Sequence, residues 1–130
     1  MIDHVSIAVR DLAAATRFYE PVLRALGFTK LRERPATVGF GKRYPEFWLN
    51  LRPDMPPVDG DSGAHVCLRA HDMAAVRAFH AAAVAKGAAN DGESGLRPEY
   101  NAAYYAAFIR DPDGNRVEVV TFVDQSREAE

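Results

Sequence analysis

The 130-residue chain has 48% hydrophobic and 26% charged residues, an ordinary composition for one globular domain with its own core. Sixteen basic and 18 acidic residues give a formal charge of −2, and the basic residues are scattered along the chain. Because phosphate binding needs concentrated positive charge, this pattern argues against a nucleic-acid partner. No window approaches the roughly 18 apolar residues that a membrane span needs, which argues against a membrane partner.

Cysteine usage and the first residues predict the compartment. The single cysteine, Cys67, excludes an intramolecular disulfide framework and is typical of a reducing environment. The opening MIDHVSIAVRDL lacks the basic leader and apolar run of a signal peptide. We therefore expect a cytoplasmic location.

The chain contains an internal repeat. Residues 3–20, DHVSIAVRDLAAATRFYE, align without a gap with residues 64–81, AHVCLRAHDMAAVRAFHA, and this alignment pairs His4 with His65. The match keeps polarity and size along its length, so we interpret it as a duplication. The predicted organisation is module one at 1–52, a Pro-, Gly- and Asp-rich linker at 53–63, module two at 64–123 and a polar tail at 124–130.

Each module is predicted to begin with a strand followed by a helix. Apolar and polar residues alternate over 5–9 and again from Val66, as they do in strands with one buried face. Asp11 and Asp72 are predicted N-caps of the Ala-rich helices that follow. Glycines are predicted to end both helices, and a proline is expected to kink or interrupt the first. These residues are Gly27, Gly87 and Pro21.

Short strand-like runs follow each helix. The segment Asp-Pro-Asp-Gly-Asn (111–115) predicts a turn that joins the last two into a hairpin. The fold class is therefore α+β, with two tandem βαβββ modules forming a cupped, mixed and mostly antiparallel sheet with the helices on its outer face. The runs lie roughly at 28–33, 36–41 and 46–52 in module one, and at 88–90, 102–110 and 115–123 in module two.

Polar residues at equivalent positions of the two modules form a candidate metal site. The terminal strands align so that Asn50 matches Glu118, opposite the apolar face. Burying Glu118 among valines would be costly without a partner, and a divalent cation removes that cost. Two imidazoles and one carboxylate, from His4, His65 and Glu118, suit divalent Fe, Mn, Ni, Co or Zn and leave positions open. A lone strand histidine is more often structural, so the prediction depends on the set of three.

Further residues are candidates for the walls of the cavity. Arg97 could pair with a substrate carboxylate, and a tyrosine could donate a proton. Cys67 shares a face with His65, although small buried cysteines more often fill space than act as nucleophiles. Adjacent strand residues face opposite ways, so at least one of Tyr104 and Tyr105 must lie in the core or an interface. The substrate-binding candidates are Trp48, Cys67, Arg97, Tyr100, Tyr104 and Tyr105, and the catalytic candidates are Tyr100, Tyr105 and Asn50.

Four segments carry a family resemblance: DHVSIAVRDL, FY-x3-L-x2-LGF, AHVCLRA and DPDGNRVEVV. They resemble the glyoxalase / bleomycin-resistance / extradiol-dioxygenase superfamily, also called vicinal oxygen chelate proteins. The resemblance implies paired βαβββ modules around a metal-centred cavity, with one divalent ion on His4, His65 and Glu118. It also implies a homodimer, in which a swapped arrangement would bring His4 of one chain to His65 and Glu118 of the other.

The resemblance leaves the reaction open. Where glyoxalase I-like members place a fourth, glutamate ligand, this chain has Asn50, although Glu46 lies on the same strand face. Three-ligand sites are more similar to the dioxygenase and fosfomycin-modifying branches. We therefore expect chelation of two neighbouring oxygens of a small organic substrate, by a lyase or isomerase or by a ring-cleaving dioxygenase. The alternative is a metal-free protein that sequesters a drug or metabolite, against which the intact ligand set argues.

Overall fold

The computed structural model of the chain describes residues 1–123. The predicted polar tail, 124–130, lies outside the described residues. Within 1–123 each copy of the repeat forms one βαβββ module, so the predicted α+β fold is confirmed. No helix in this range is both long enough and apolar enough to cross a membrane.

Module one consists of one helix and a four-stranded mixed sheet. Its elements are β1 (Val5–Val9), α1 (Leu12–Arg24), β2 (Thr29–Glu33), β3 (Thr37–Gly41) and β4 (Phe47–Leu51). The strand order is β1-β4-β3-β2, with β1 parallel to β4 and the other pairs antiparallel. Parallel pairing of the first and last strands requires the crossover that α1 provides.

Module two repeats this topology. Its elements are β5 (Val66–Arg69), α2 (Met73–Ala85), β6 (Ala89–Leu96), β7 (Tyr104–Arg110) and β8 (Arg116–Phe122). The order β5-β8-β7-β6 again makes the first strand parallel to the last. In both modules the predicted N-cap accepts a hydrogen bond from the first turn, at 3.0 Å for Asp11 and 2.8 Å for Asp72.

Pro21 does not interrupt α1, contrary to the expectation from sequence. The helix continues unbroken from Leu12 to Arg24. A proline inside a helix costs about 3 kcal/mol or more. Each large apolar side chain that is fully buried returns about 1.5–3 kcal/mol, so burial of Phe18, Val22 and Leu23 outweighs that cost.

Strand β6 is much longer than the weak strand that the sequence predicts at 88–90. It runs to Leu96 and pairs with β7, with register shifts around Gly92 and Gly95. A Cβ atom at Gly92 would lie only 2.9 Å from Cδ2 of Phe108 on the neighbouring strand. The glycines that suggest a loop are therefore needed where two strands come close together.

The two modules share one hydrophobic core. Helices α1 and α2 contact each other, and the core includes residues from the inner faces of both sheets. In module two, Val117 and Val119 point into this core and are fully buried. The alternate residues of β5, β7 and β8 point the other way and form what we call the open face: Cys67, Arg69, Tyr104, Ala106, Phe108, Arg110, Arg116, Glu118, Val120 and Phe122.

Candidate metal centre

His65 and Glu118 lie side by side at the open face. His65 immediately precedes β5, and Glu118 lies in the adjacent strand β8. The Nε2 atom of His65 is 3.2 Å from Oε1 of Glu118. Two ligands that bind one metal ion at about 2.1 Å are separated by about 3.0–3.4 Å, so this distance fits a shared ion. The donor types, one imidazole and one carboxylate, also suit the expected divalent metals.

The protein surrounds the Glu118 carboxylate closely. Glu118 is only 4% exposed, and its Oε2 accepts a short hydrogen bond from the phenol of Tyr104. Burial raises the pKa of Tyr104, and the hydrogen bond to Glu118 raises it further. The phenol therefore stays protonated at neutral pH and remains a donor.

Cys67 faces the same carboxylate but is a poor nucleophile. It is the backbone neighbour of Glu118 across the β5–β8 pair. Desolvation, together with the negative charge of Glu118, raises the pKa of the Cys67 thiol to about 12. Since the thiolate is the reactive form, a raised pKa makes Cys67 a weaker nucleophile at neutral pH.

One chain does not assemble the predicted set of three ligands. His4 lies at the start of module one, where its Nδ1 is 2.8 Å from Oδ2 of Asp3. That hydrogen bond, followed by one from Tyr44, lowers the pKa of Asp3. Within residues 1–123, no three His, Cys, Asp or Glu side chains are grouped so that they could hold a metal ion. Within a single chain, therefore, only His65 and Glu118 of the three expected ligands lie together.

Asn50, the counterpart of Glu118, lies in the sheet of module one. It is half-buried in β4, beside Ala8 of β1 and Thr37 of β3. Among the described residues, no hydrogen bond to its side-chain amide is found. Trp48 lies in the same strand, and the Arg34 guanidinium is 5.7 Å from the centre of its ring. Asn50 and Trp48 thus lie in module one, apart from the open face of module two.

Tyr105, a candidate for catalytic and substrate-binding roles, points away from the open face. Its side chain packs against the core, and its hydroxyl accepts a hydrogen bond from Arg77 at 3.3 Å. Tyr104, its neighbour in β7, points to Glu118. The two residues differ because successive side chains of a strand alternate between its faces.

The other two candidates lie around Tyr104. Tyr100 is exposed, and its ring meets that of Tyr104 edge to face at 5.2 Å. Arg97 donates to the carbonyl oxygens of Glu93 and Gly95, at 2.6 and 2.9 Å, with its guanidinium over the ring of Phe108. These contacts use part of the donor capacity of Arg97 within the protein.

Sequence reasoning missed two groups of residues near the site. Arg69 lies on the open face two positions after Cys67, and the only signal for it was the period-two alternation of β5.

The second group surrounds Asp111, which the sequence identified only as part of a turn. The Asp111 carboxylate is buried and accepts hydrogen bonds from Tyr19 and Asn115, and burial raises its pKa. No local sequence pattern predicts a contact that joins the two modules.

Comparison with known proteins places these features in context. A family model described as the Glyoxalase/Bleomycin resistance protein/Dioxygenase superfamily matches residues 1–119. A search of the curated proteins found no significant match.

Several solved structures share this fold. A glyoxalase/bleomycin resistance protein from Albidiferax ferrireducens T118 is 28% identical, covering 91% of this chain and 96% of its own, with a TM-score of 0.78. A lactoylglutathione lyase from Agrobacterium tumefaciens is 25% identical over 92% of each chain, with a TM-score of 0.64. A glyoxalase/bleomycin resistance protein/dioxygenase family enzyme from Burkholderia phytofirmans PsJN is 18% identical, covers 94% of this chain and 98% of its own, and has a TM-score of 0.71.

Proposed function

Because the chain belongs to the Glyoxalase/Bleomycin resistance protein/Dioxygenase superfamily, we propose that it is a divalent-metal-dependent enzyme acting on a small oxygenated organic substrate. The observation that supports this most directly is the 3.2 Å approach of His65 Nε2 to the buried Glu118 carboxylate. Fe, Mn, Ni, Co and Zn all suit this donor set.

The third ligand of the proposed site is His4 of a second copy of the chain. His4 is exposed, so its imidazole is accessible to another subunit. A homodimer with exchanged modules would bring it to His65 and Glu118 of the partner. The open face of module two would then become the wall of a cavity between subunits.

The proposed chemistry is Lewis-acid catalysis. Once bound, the ion would polarise two neighbouring substrate oxygens and stabilise an enolate-like or oxyanion state. Tyr104 would hold the Glu118 carboxylate in position through its O–H, and its ring would contact the substrate. Tyr100 and Phe122 would shield the substrate from water. A lyase or isomerase reaction and ring cleavage by dioxygen both fit these roles.

A metal-free protein that sequesters a drug or metabolite is the second candidate. One observation favours it: Glu118 already accepts hydrogen bonds from both His65 and Tyr104. Among the described residues no buried side-chain nitrogen or oxygen lacks a partner. The buried Glu118 carboxylate therefore has hydrogen-bond partners even without an ion. Measurement of bound metal distinguishes the two candidate functions.

Elemental analysis of purified protein tests the proposal. After reconstitution with each candidate metal, we expect about one ion per chain, with His65→Ala losing it because an imidazole ligand is removed. His80→Ala is the matched control, since His80 bonds Asn90 outside the site. Wild type and His65→Ala that are equally empty after reconstitution would contradict the proposal and leave the sequestering function.

A further inference from the structure

Arg69 is the arginine of the open face that makes no ion pair within residues 1–123. Arg110 and Arg116 both pair with Asp91, at 3.7 and 2.9 Å. Arg97, just beyond β6, donates to backbone carbonyls. Arg69 is exposed, and its guanidinium lies over the ring of Phe122, 4.7 Å from the centre. Its planar donors are therefore held in place and remain available.

The position of Arg69 relates it directly to the proposed metal ligands. Its neighbour two positions earlier, Cys67, is paired across the sheet with Glu118, and Arg69 itself is paired with Val120. Two residues along a strand span about 6.5–7 Å and neighbouring strands lie about 4.8 Å apart, so the backbones of Glu118 and Arg69 are separated by roughly 8 Å, about the size of one aromatic ring with a substituent. A small molecule could therefore reach both Glu118 and Arg69.

An exposed aromatic surface lies beside these two positions, because Tyr104 contacts Glu118 and Phe122 contacts Arg69. The ring of Tyr104 meets those of Tyr100 and Phe122 edge to face, at 5.2 and 5.4 Å. Tyr100 is 61% exposed and Phe122 is 44% exposed. Large apolar side chains left in water at the rim of a polar site are typical of ligand contacts.

Space for a ligand lies beside Arg69. Cys67 and Arg69 line an open cleft of about 430 Å3 at the edge of β5, together with Leu68, Ala70, His71 and the module-one residues Phe28, Lys42 and Glu46. The cleft adjoins the Arg69 end of the proposed site, and Glu118 and the aromatic side chains do not line it. That volume is within the usual range for small-molecule sites. Arg69 and Lys42 contribute two positive charges and Glu46 one negative charge, so the cleft carries a net positive charge.

The repeat shows that this charge is specific to module two. The residue equivalent to Arg69 in module one is Ala8, whereas the candidate ligand His65 has its counterpart in His4. The two copies therefore share the imidazole, and only module two has a cation at the position of Arg69. Because only module two has a cation at this position, we expect a substrate with a negative charge at one end only.

We infer that the site takes a planar organic anion, with Arg69 binding its carboxylate and the Tyr100–Tyr104–Phe122 surface contacting its flat part. This inference rests on the proposed function, because the other end of the substrate would carry the two oxygens directed to the metal. A guanidinium binds a carboxylate through two parallel N–H···O bonds, which gives both affinity and orientation.

Calorimetric titration with two matched probes tests the inference. The probes are 3,4-dihydroxybenzoate and its neutral amide, 3,4-dihydroxybenzamide, each added to manganese-loaded and to metal-free protein. We expect wild type to bind the anion about tenfold more tightly than the amide. Arg69→Gln should reduce this preference to within about twofold, Arg69→Lys should keep part of it, and Arg17→Gln, on the exposed side of α1, should keep all of it.

The outcomes separate this inference from the proposed function. Equal binding of the two probes by wild type, an anion preference that survives in Arg69→Gln, or no binding of either probe at millimolar concentration would overturn the inference. If manganese strengthens binding of both probes without an anion preference, the metal function stands and the role of Arg69 is wrong. If the preference depends on Arg69 but manganese strengthens binding of neither probe, Arg69 is an anion site and the metal function is wrong.

Discussion

The phenol of Tyr19 donates a hydrogen bond to Oδ2 of Asp111 at 2.6 Å, joining α1 of module one to the β7–β8 turn of module two. Both residues are buried, at 0% and 4% exposure. The same turn reaches module one again where Asn115 Nδ2 donates to the carbonyl oxygen of Ala8 at 2.9 Å. These contacts hold the start of β8, and therefore Glu118, in position relative to β1.

Replacing Tyr19 by Phe should lower the free energy of unfolding by about 1.5–3 kcal/mol. The change removes one donor from a buried carboxylate, and hydrogen bonds to charged groups contribute about this much. Urea denaturation followed by circular dichroism measures the effect. Tyr44→Phe is the matched control, because Tyr44 also donates to an aspartate, Asp3, but at an exposed position. Equal stability of the two variants would show that the Tyr19 contact does not stabilise the fold.

Asp111 should make stability depend on pH in the opposite sense from an ordinary ion-paired aspartate. Burial raises its pKa in the folded protein above the usual value of 3.8. A raised folded-state pKa contributes stability that is fully present below the unfolded-state pKa and is lost as pH rises through the folded-state pKa. Wild type should therefore lose stability relative to Asp111→Asn, which cannot ionise, as pH rises from about 4 towards neutral.

Paired urea unfolding curves of wild type and Asp111→Asn across this range measure the difference. Subtracting the unfolding free energy of the variant from that of wild type removes the contributions of carboxylates that titrate equally in both proteins. The contribution of Asp113 is not fully removed, because its charge acts on Asp111. A difference that grows in favour of wild type with rising pH would mean that hydrogen bonds from Tyr19 and Asn115 outweigh burial.

Mixed dimers can show whether the proposed site is built across two chains. In the exchanged arrangement, a dimer of one His4→Ala chain and one His65→Ala chain has one intact site and one that lacks both imidazoles. With random assortment half of the dimers are mixed, so about a quarter of all sites should bind metal. Co-expression of the two variants with different affinity tags, followed by elemental analysis, measures this fraction.

Assembly of the site within one chain would leave the mixed dimers as empty as the parent variants. Light scattering of wild type provides a second measurement, because a clean monomer near 14.3 kDa at micromolar concentration would refute the dimer itself.

Asn50→Glu should bind metal more tightly and anionic or catecholate ligands more weakly. Two neutral imidazoles and Glu118 leave a divalent site with one positive charge, and a second carboxylate would neutralise it and occupy a coordination position. Metal titration of Asn50→Glu beside Asn50→Ala measures the effect. If neither substitution changes metal affinity, position 50 lies outside the coordination sphere.

The repeat in the sequence was enough to predict the two modules and the faces of their strands. Val5 to Val9 and Val66 to Arg69 alternate as expected, and Asp11 and Asp72 cap their helices. These features depend on residues close in sequence, whose dihedral preferences and hydrogen bonds are determined locally. Glu118 could be placed opposite the apolar face of its strand by the same reasoning.

Only the tertiary structure decided which of these residues meet. His65 reaches Glu118 within the chain and His4 does not, because the register of β5 on β8 is internal to module two. Tyr104 faces Glu118 while Tyr105 faces the core, because the apolar side of β7 packs on α2. Pairing between strands, burial of α1 around Pro21 and the Tyr19–Asp111 contact all join residues far apart in sequence. Their energies come from packing, which local sequence patterns do not encode.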